Sequence, residues 1–211
     1  MEFLPEAIEQ YVEKMTTAES DLLQKLNRET HAKVLKPRML SGHLQGRVLS
    51  MMSKMIRPKN ILEIGTYTGY SAICLAEGLQ EDGILHTIEI DEELEDMARH
   101  YFDASPYKDK IVQHIGSAME IIPQLHIDFD LVFIDADKEN YSNYYDLLID
   151  RLPSGSYMIA DNVLWSGKVV EEISDADTEA LVQFSHKVND DQRVENVLFP
   201  IRDGLMVLRK I

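Results

Sequence analysis

From residue 61 to residue 71 the chain reads Ile-Leu-Glu-Ile-Gly-Thr-Tyr-Thr-Gly-Tyr-Ser, and this run restricts the possible folds more than any other. Ile61 to Ile64 is a short apolar segment broken by one acid, Gly65 and Gly69 bracket a turn, and Ala72 to Leu79 returns to helical spacing. Strand, tight turn and helix start therefore follow one another without a linker. Gly65 permits a sharp turn and a close approach of backbone to ligand, while the next helix begins with N–H groups that lack intrahelical partners. A dinucleotide site would want Gly-x-Gly-x-x-Gly, so that a pyrophosphate can rest on the backbone, but the second glycine position is Tyr67. A diphosphate ligand is disfavoured, and a nicotinamide dehydrogenase with it. Glu-x-Gly-x-x-x-Gly suits a ligand with an amino group and no phosphate, which Glu63 and nearby carbonyls can receive.

Downstream, apolar runs alternate with helical patterns. Ile84 to Ile90, Lys110 to Ile115, Phe129 to Ala136 and Tyr157 to Ala160 read as further strands, separated by helices near 92–102, 119–125 and 140–152. Leu131 to Ile134 is continuously apolar, as a central parallel strand should be. A helix near 178–188 precedes two last strands, Val194 to Ile201 and Leu205 to Lys210, with Arg202-Asp203-Gly204 as a tight hairpin signal. The expected fold is α/β: a Rossmann-like, doubly wound, mostly parallel seven-stranded sheet with a C-terminal antiparallel pair and extra N-terminal helices. Ligands would bind at the carboxyl ends of the strands. Glu89 ends the second strand about 20 residues after the glycine turn, where adenosine-binding folds take the ribose hydroxyls. At the end of the third strand, Gly116-Ser117-Ala118 offers backbone to an adenine ring.

The N-terminal third is helical. Ile8, Val12 and Met15 share a face, Thr16-x-x-Glu19 reads as a capping box before Leu22, Leu23 and Leu26, and Pro37 breaks the pattern. From about Ser41 a third helix carries Leu44, Val48, Met51, Met52 and Met55 as an apolar stripe, read either as core or as a wall over the mouth of the site. One domain is expected over 1–211, with residues 1–57 covering the site and 58–211 forming the ligand-binding core.

A formal net charge of −16 repels a phosphate backbone, so small substrates are favoured over nucleic acid. Lys33, Lys36 and Arg38 form only a loose basic cluster, read as solvated surface. Neither a signal peptide nor an apolar run of the ~18 residues a membrane span needs is visible, so a cytoplasmic protein without membrane contact is expected. The lone Cys74 lies in an apolar helix and reads as core.

Asp135 and Asp161-Asn162 end two successive apolar strands. If those strands are close, three oxygen donors converge, a set suited to Mg²⁺, Ca²⁺ or Mn²⁺ rather than zinc. A helix cap at Asp135 and an Asx turn at Asp161-Asn162 explain the same residues, and spacing alone favours that account.

The run from Glu63 to Gly69 resembles motif I of class I S-adenosylmethionine-dependent methyltransferases. Asp135-Ala136-Asp137-Lys138-Glu139-Asn140-Tyr141, followed by Asp161-Asn162-Val163-Leu164-Trp165, resembles the metal-dependent catechol and caffeoyl-CoA O-methyltransferase family. The likeness extends through Ser41-Gly42-His43-Leu44-Gln45-Gly46, Thr87-Ile88-Glu89, Ile121-Ile122-Pro123-Gln124-Leu125 and Asp203-Gly204, covering the chain from about Met39 onward. The resemblance implies a metal on Asp135, Asp161 and Asn162, with Mg²⁺ first and Ca²⁺ or Mn²⁺ as alternatives. It implies catalysis by Lys138 as base together with Asp135 and Asn162. It also implies an S-adenosylmethionine site, holding S-adenosylhomocysteine as product, lined by Met39, Ser41, Glu63, Gly65, Tyr67, Ser71, Glu89, Ala118 and Asp135. Ala136 stands where the animal catechol enzymes have His, which places the chain nearer the caffeoyl-CoA and bacterial branch, generally homodimeric. The expected acceptor is an aromatic vicinal diol of catechol or caffeoyl type, with Trp165 and Tyr141 either walling its ring or serving as core or dimer contacts. The alternatives are a hydroxylated wobble uridine of tRNA and a non-catalytic S-adenosylmethionine-binding module; the latter would have lost a ligand or the base, and none is lost.

Overall fold

The computed structural model describes residues 5–172 and 175–211. Seven strands, β1 (Asn60–Ile64), β2 (Ile84–Glu89), β3 (Ile111–Ile115), β4 (Leu131–Ile134), β5 (Tyr157–Asp161), β6 (Val194–Phe199) and β7 (Leu205–Lys210), form one sheet in the order β3-β2-β1-β4-β5-β7-β6. The first five are parallel and β7 runs antiparallel between β5 and β6. Strand order reverses between β1 and β4, so the carboxyl ends of these two strands open the crevice where ligands bind in such sheets.

Alternation along each central strand supplies two cores. Leu62, Ile64, Val132 and Ile134 face one side, against α6 (Ala118–Ile121), α7 (Tyr141–Ile149) and α8 (Ala176–Asp190). Ile61, Leu131, Phe133 and Ile159 face the other, against α2 (Asp21–Lys33), α3 (Gly42–Ile56), α4 (Tyr70–Ala76) and α5 (Glu95–Ala104). Helices on both faces explain why the strands are apolar throughout rather than amphipathic. Full burial of each large side chain contributes roughly 1.5–3 kcal/mol. Cys74 is buried in the second core, where loss of hydration pushes its thiol up to about 12, an inert state. No described helix is long and apolar enough to cross a membrane.

The N-terminal helices depart from two expectations. Ser20, not Thr16, caps α2, its hydroxyl accepting from the Leu23 N–H at 3.3 Å. Thr16 instead donates to the Val12 carbonyl at the end of α1 (Glu6–Met15), and the Glu19 carboxylate accepts from the Tyr70 hydroxyl. A tertiary partner thus outcompeted the local box. The apolar stripe of α3 is only partly core: Val48 and Met52 pack against the second core, whereas Met51 and Met55 are 60% and 77% exposed. Gln45, Gly46, Leu49, Ser50 and Ser53 point inward, because α3 lies so close to α4 that a Cβ on Gly46 would sit 2.5 Å from the Tyr70 ring. Only small or hydrogen-bonded groups fit that contact, and the Ser53 hydroxyl donates to the Leu75 carbonyl at 2.6 Å. The β6–β7 connection is also longer than a two-residue hairpin, spanning 200–204 with Arg202 in left-handed backbone.

At the opposite edge, His86 on β2 and His114 on β3 stack with ring centroids 5.3 Å apart, His86 Nδ1 lies 3.0 Å from His114 Nε2, and Phe129 meets His86 edge-on. Burial, then repulsion from His114, lowers the His86 pKa from 6.5 to about 4. A histidine whose pKa falls on folding leaves the unfolded chain binding more protons below 6.5. Its contribution is therefore intact above pH 6.5 and lost as pH drops toward 4. Denaturant unfolding at pH 7 and pH 4.5 should show lower stability at the acid end, with a smaller difference in His86→Phe; an equal difference in the variant would assign the loss to other groups.

Candidate active site

The cleft at the switch point begins with Gly65. Its φ is +101°, and a Cβ there would lie 1.9 Å from the Asp135 carbonyl oxygen, so only glycine lets the β1–α4 turn lie against the end of β4. The Gly65 N–H donates to the Ile88 carbonyl at 2.9 Å, and the Asp135 N–H to the Ile64 carbonyl at 2.9 Å. Tyr67, also left-handed at φ +51°, directs its N–H to Glu89 Oε2 at 2.6 Å. The Asp91 N–H holds Oε1 at 2.9 Å. Glu89 is thus fixed at the end of β2, on the wall of a cleft that Gly65, Gly116 and Ala118 also line.

Three further lining residues, Asp137, Asn140 and Tyr144, escaped the sequence reading. The Tyr144 hydroxyl donates to Asp137 Oδ1 at 2.6 Å. Their signal was present in the acid two residues beyond Asp135, but only the packing of α7 turns Tyr144 to the same cleft.

Glu63 lies beneath the turn, fully buried on β1 beside Thr87 of β2, whose hydroxyl donates to its Oε2 at 2.5 Å. Burial raises its carboxyl to about 8 against the opposing hydroxyls of Ser71 and Thr87. Oε1 has no hydrogen-bond partner. An orphaned, desolvated carboxyl oxygen fits a cationic amine as its missing partner. Met39 and Ser41 sit on the segment before α3, which the Tyr67 hydroxyl reaches by donating to the Lys36 carbonyl at 2.9 Å, and the Ser41 carbonyl accepts from the Arg202 guanidinium.

Next to this cleft the ends of β4 and β5 bring the second set together. The buried Lys138 ammonium donates to Asp135 Oδ1 at 3.1 Å, Asn162 Oδ1 at 2.9 Å and the Tyr141 hydroxyl at 2.7 Å. It also lies 4.8 Å from the Tyr141 ring centroid and 5.8 Å from that of Trp165. Asp161, 2% exposed, accepts from the Asn162 N–H on Oδ1 at 2.7 Å and from the Gln45 amide on Oδ2. Burial and then the Asp135 charge raise its carboxyl to about 7. Asp135 does not cap a helix; Asp137 holds the N-cap position there, without a side-chain cap bond. Asp161-Asn162 does lie at a turn, with Asn162 at φ +60° and its carbonyl accepting from the Trp165 N–H at 3.1 Å. Left-handed backbone at Asn162, Trp165 and Ser166 costs energy that surrounding bonds must hold, and Asp203 supplies two: its carboxylate accepts from the Ser166 N–H and its carbonyl from that of Leu164.

The donor chemistry fits a hard cation: two carboxylates and an amide oxygen, two of which already converge on the Lys138 ammonium as they would on an ion. Among the described residues no group of three His, Cys, Asp or Glu side chains could hold a metal.

A family model described as O-methyltransferase matches residues 13–211. Caffeoyl-CoA O-methyltransferase 1 of Eucalyptus globulus is 34% identical over 180 residues, 79% of this chain and 73% of that protein. An O-methyltransferase from Bacillus cereus in complex with S-adenosylhomocysteine is 28% identical, with a TM-score of 0.89 over 97% of each chain. A Podospora anserina methyltransferase with the same product bound is 26% identical, with a TM-score of 0.90 over 100% of this chain and 99% of that one.

The Gly65 contact makes a direct prediction. Gly65→Ala should lower unfolding free energy by about 2–5 kcal/mol, combining the left-handed penalty with overpacking against backbone. A denaturant melt showing a loss below about 1 kcal/mol would mean the turn can move away from β4.

Proposed function

The chain belongs to the O-methyltransferase family, and from that premise we propose that it methylates one hydroxyl of a catechol-like or caffeoyl-type aromatic, with a divalent cation on Asp135, Asp161 and Asn162. It is an S-adenosylmethionine-dependent O-methyltransferase, a reading its relatives and the fold support together. The observation that carries the finer proposal is the convergence of Asp135 and Asn162 oxygens on one cationic position, beside Asp161 and next to the cleft that Gly65 and Glu89 line.

S-adenosylmethionine, when bound, supplies an electrophilic methyl group on a sulfonium. Glu89, with each oxygen held by one backbone N–H, keeps lone pairs for two ribose hydroxyls. Glu63 Oε1 receives the amino group of the methionine portion, whose positive charge favours the ionised carboxyl that burial alone opposes. A divalent cation on the Asp135, Asp161 and Asn162 oxygens would supply Lewis acidity to a phenolic hydroxyl, whose ordinary pKa is about 10. In its neutral amine form, which a divalent cation on the neighbouring oxygens would favour by repulsion, Lys138 Nζ is the group placed to take the hydroxyl proton, because it lies among those same oxygens and is reached by solvent only slightly. The Trp165 ring, 5.8 Å from Lys138 Nζ, gives an aromatic acceptor apolar surface to lie on, whereas Tyr141 is fully buried in the core and meets Lys138 through its hydroxyl.

Turnover, cofactor-binding and acceptor measurements test this. Chelation or Asp161→Ala should abolish turnover while leaving S-adenosylmethionine affinity largely intact, and Lys138→Ala should lower kcat by about 10²–10⁴. Full activity after chelation would end the metal reading, whereas full activity of Lys138→Ala alone would reassign only the base. Glu89→Ala should weaken S-adenosylmethionine binding by about 1.5–3 kcal/mol in calorimetry on the folded variant. Release of S-adenosylhomocysteine with catechols or caffeoyl esters, and none with tRNA, is the expected acceptor pattern.

A further inference from the structure

We infer that Gln45, on the second turn of α3, is a positioning residue that sets the Asp161 carboxylate for the divalent cation. The inference rests on the metal reading above. Within the site, the Lys138 ammonium holds Asp135 and Asn162 but makes no hydrogen bond to Asp161. Asp161 is held by two other donors. One is the N–H of its own neighbour, Asn162, which fixes Oδ1. The other comes from 116 residues earlier in the chain: the Gln45 side-chain amide, which donates to Oδ2. Gln45 is therefore the only side chain among the described hydrogen bonds that fixes the direction of this carboxylate.

Packing alone does not call for glutamine here. Gln45 is 2% exposed, and its inward neighbours on α3 are glycine, leucine and serine against the tightly apposed α4. Burying an amide in such a contact costs free energy unless it is hydrogen-bonded, and an apolar side chain of similar length would fill the volume without that cost. The bond to Asp161 is what the amide adds. Its anchor is also firm: the Arg202 guanidinium holds the Ser41 carbonyl just before α3, and the adjacent Asp203 holds the Ser166 N–H. The first turns of α3 and the loop after Asn162 are thus tied to one β6–β7 connection, which fixes the Gln45–Asp161 distance.

Residues that orient a metal ligand from outside typically change metal affinity 10–100-fold when removed. The test is Mn²⁺ binding to the intact enzyme, read from the electron paramagnetic resonance signal of free Mn²⁺, alongside S-adenosylmethionine calorimetry. The wild type should bind Mn²⁺ and Asp161→Ala should not. Gln45→Leu should bind it 10–100-fold more weakly, with S-adenosylmethionine affinity within about twofold of wild type. Gln45→Met, which keeps the side-chain length and removes the amide, should behave alike and guards against a packing defect in the leucine variant. Wild-type Mn²⁺ affinity in a folded Gln45 variant would overturn the positioning role and leave the metal reading standing. Absence of Mn²⁺ binding by the wild type would overturn the metal reading itself.

Discussion

The contact between the Gly65 turn and the Asp135 carbonyl is the constraint on which the site depends. It presses the first strand–helix turn against the end of β4 at the point where strand order reverses. Two segments 70 residues apart in number become neighbours there, one lining the cleft and the other carrying Asp135 and Lys138. Any side chain at position 65 would push them apart. Methyl transfer between two bound molecules needs their sites held at a fixed separation, and a backbone contact in the middle of a seven-stranded sheet provides such rigidity.

Around that contact the protein keeps groups that its interior disfavours. Glu63 and Asp161 are buried carboxyls raised toward neutrality by lost hydration, and Lys138 is a buried cation. The two carboxyls have part of what they need, Glu63 one hydroxyl bond and a vacant Oε1 and Asp161 two donors, while all three N–H groups of Lys138 have acceptors. Partly satisfied buried charges are costly in an idle scaffold, and they become favourable where ligands of opposite charge complete them. The left-handed backbone at Tyr67 and Asn162 belongs to the same pattern. Tyr67 aims an N–H at Glu89, and Asn162 gives an N–H to Asp161 and its amide oxygen to Lys138.

The N-terminal helices connect to the sheet through buried leucines and to this site through polar links as well. Tyr70 bonds Glu19, Tyr101 bonds Glu29 at 2.5 Å, Thr30 bonds Thr68 at 3.0 Å and Gln45 bonds Asp161. These links run to the β1–α4 turn, to α4, to α5 and to the end of β5. They also explain why the capping box at Thr16 did not form: Glu19 had a buried tyrosine hydroxyl as partner.

The order and type of the elements were legible in the chain because they depend on short-range periodicity. The apolar strands, the glycine turn, and the acids ending β2, β4 and β5 all fall where spacing placed them. What spacing could not reveal was which residues of α3 turn furthest inward: Met51 and Met55 lie exposed, while Gln45, Gly46, Leu49, Ser50 and Ser53 are buried. Nor could it show that Asp137 and Tyr144 line the cleft, or that Gln45 reaches Asp161. Sequence alone determined the alternation of strands and helices and the acids at the strand ends, because backbone periodicity and turn chemistry are local. Tertiary structure alone decided the partners of those acids, because a hydrogen bond between side chains 116 residues apart exists only once the sheet and its helices have closed around it.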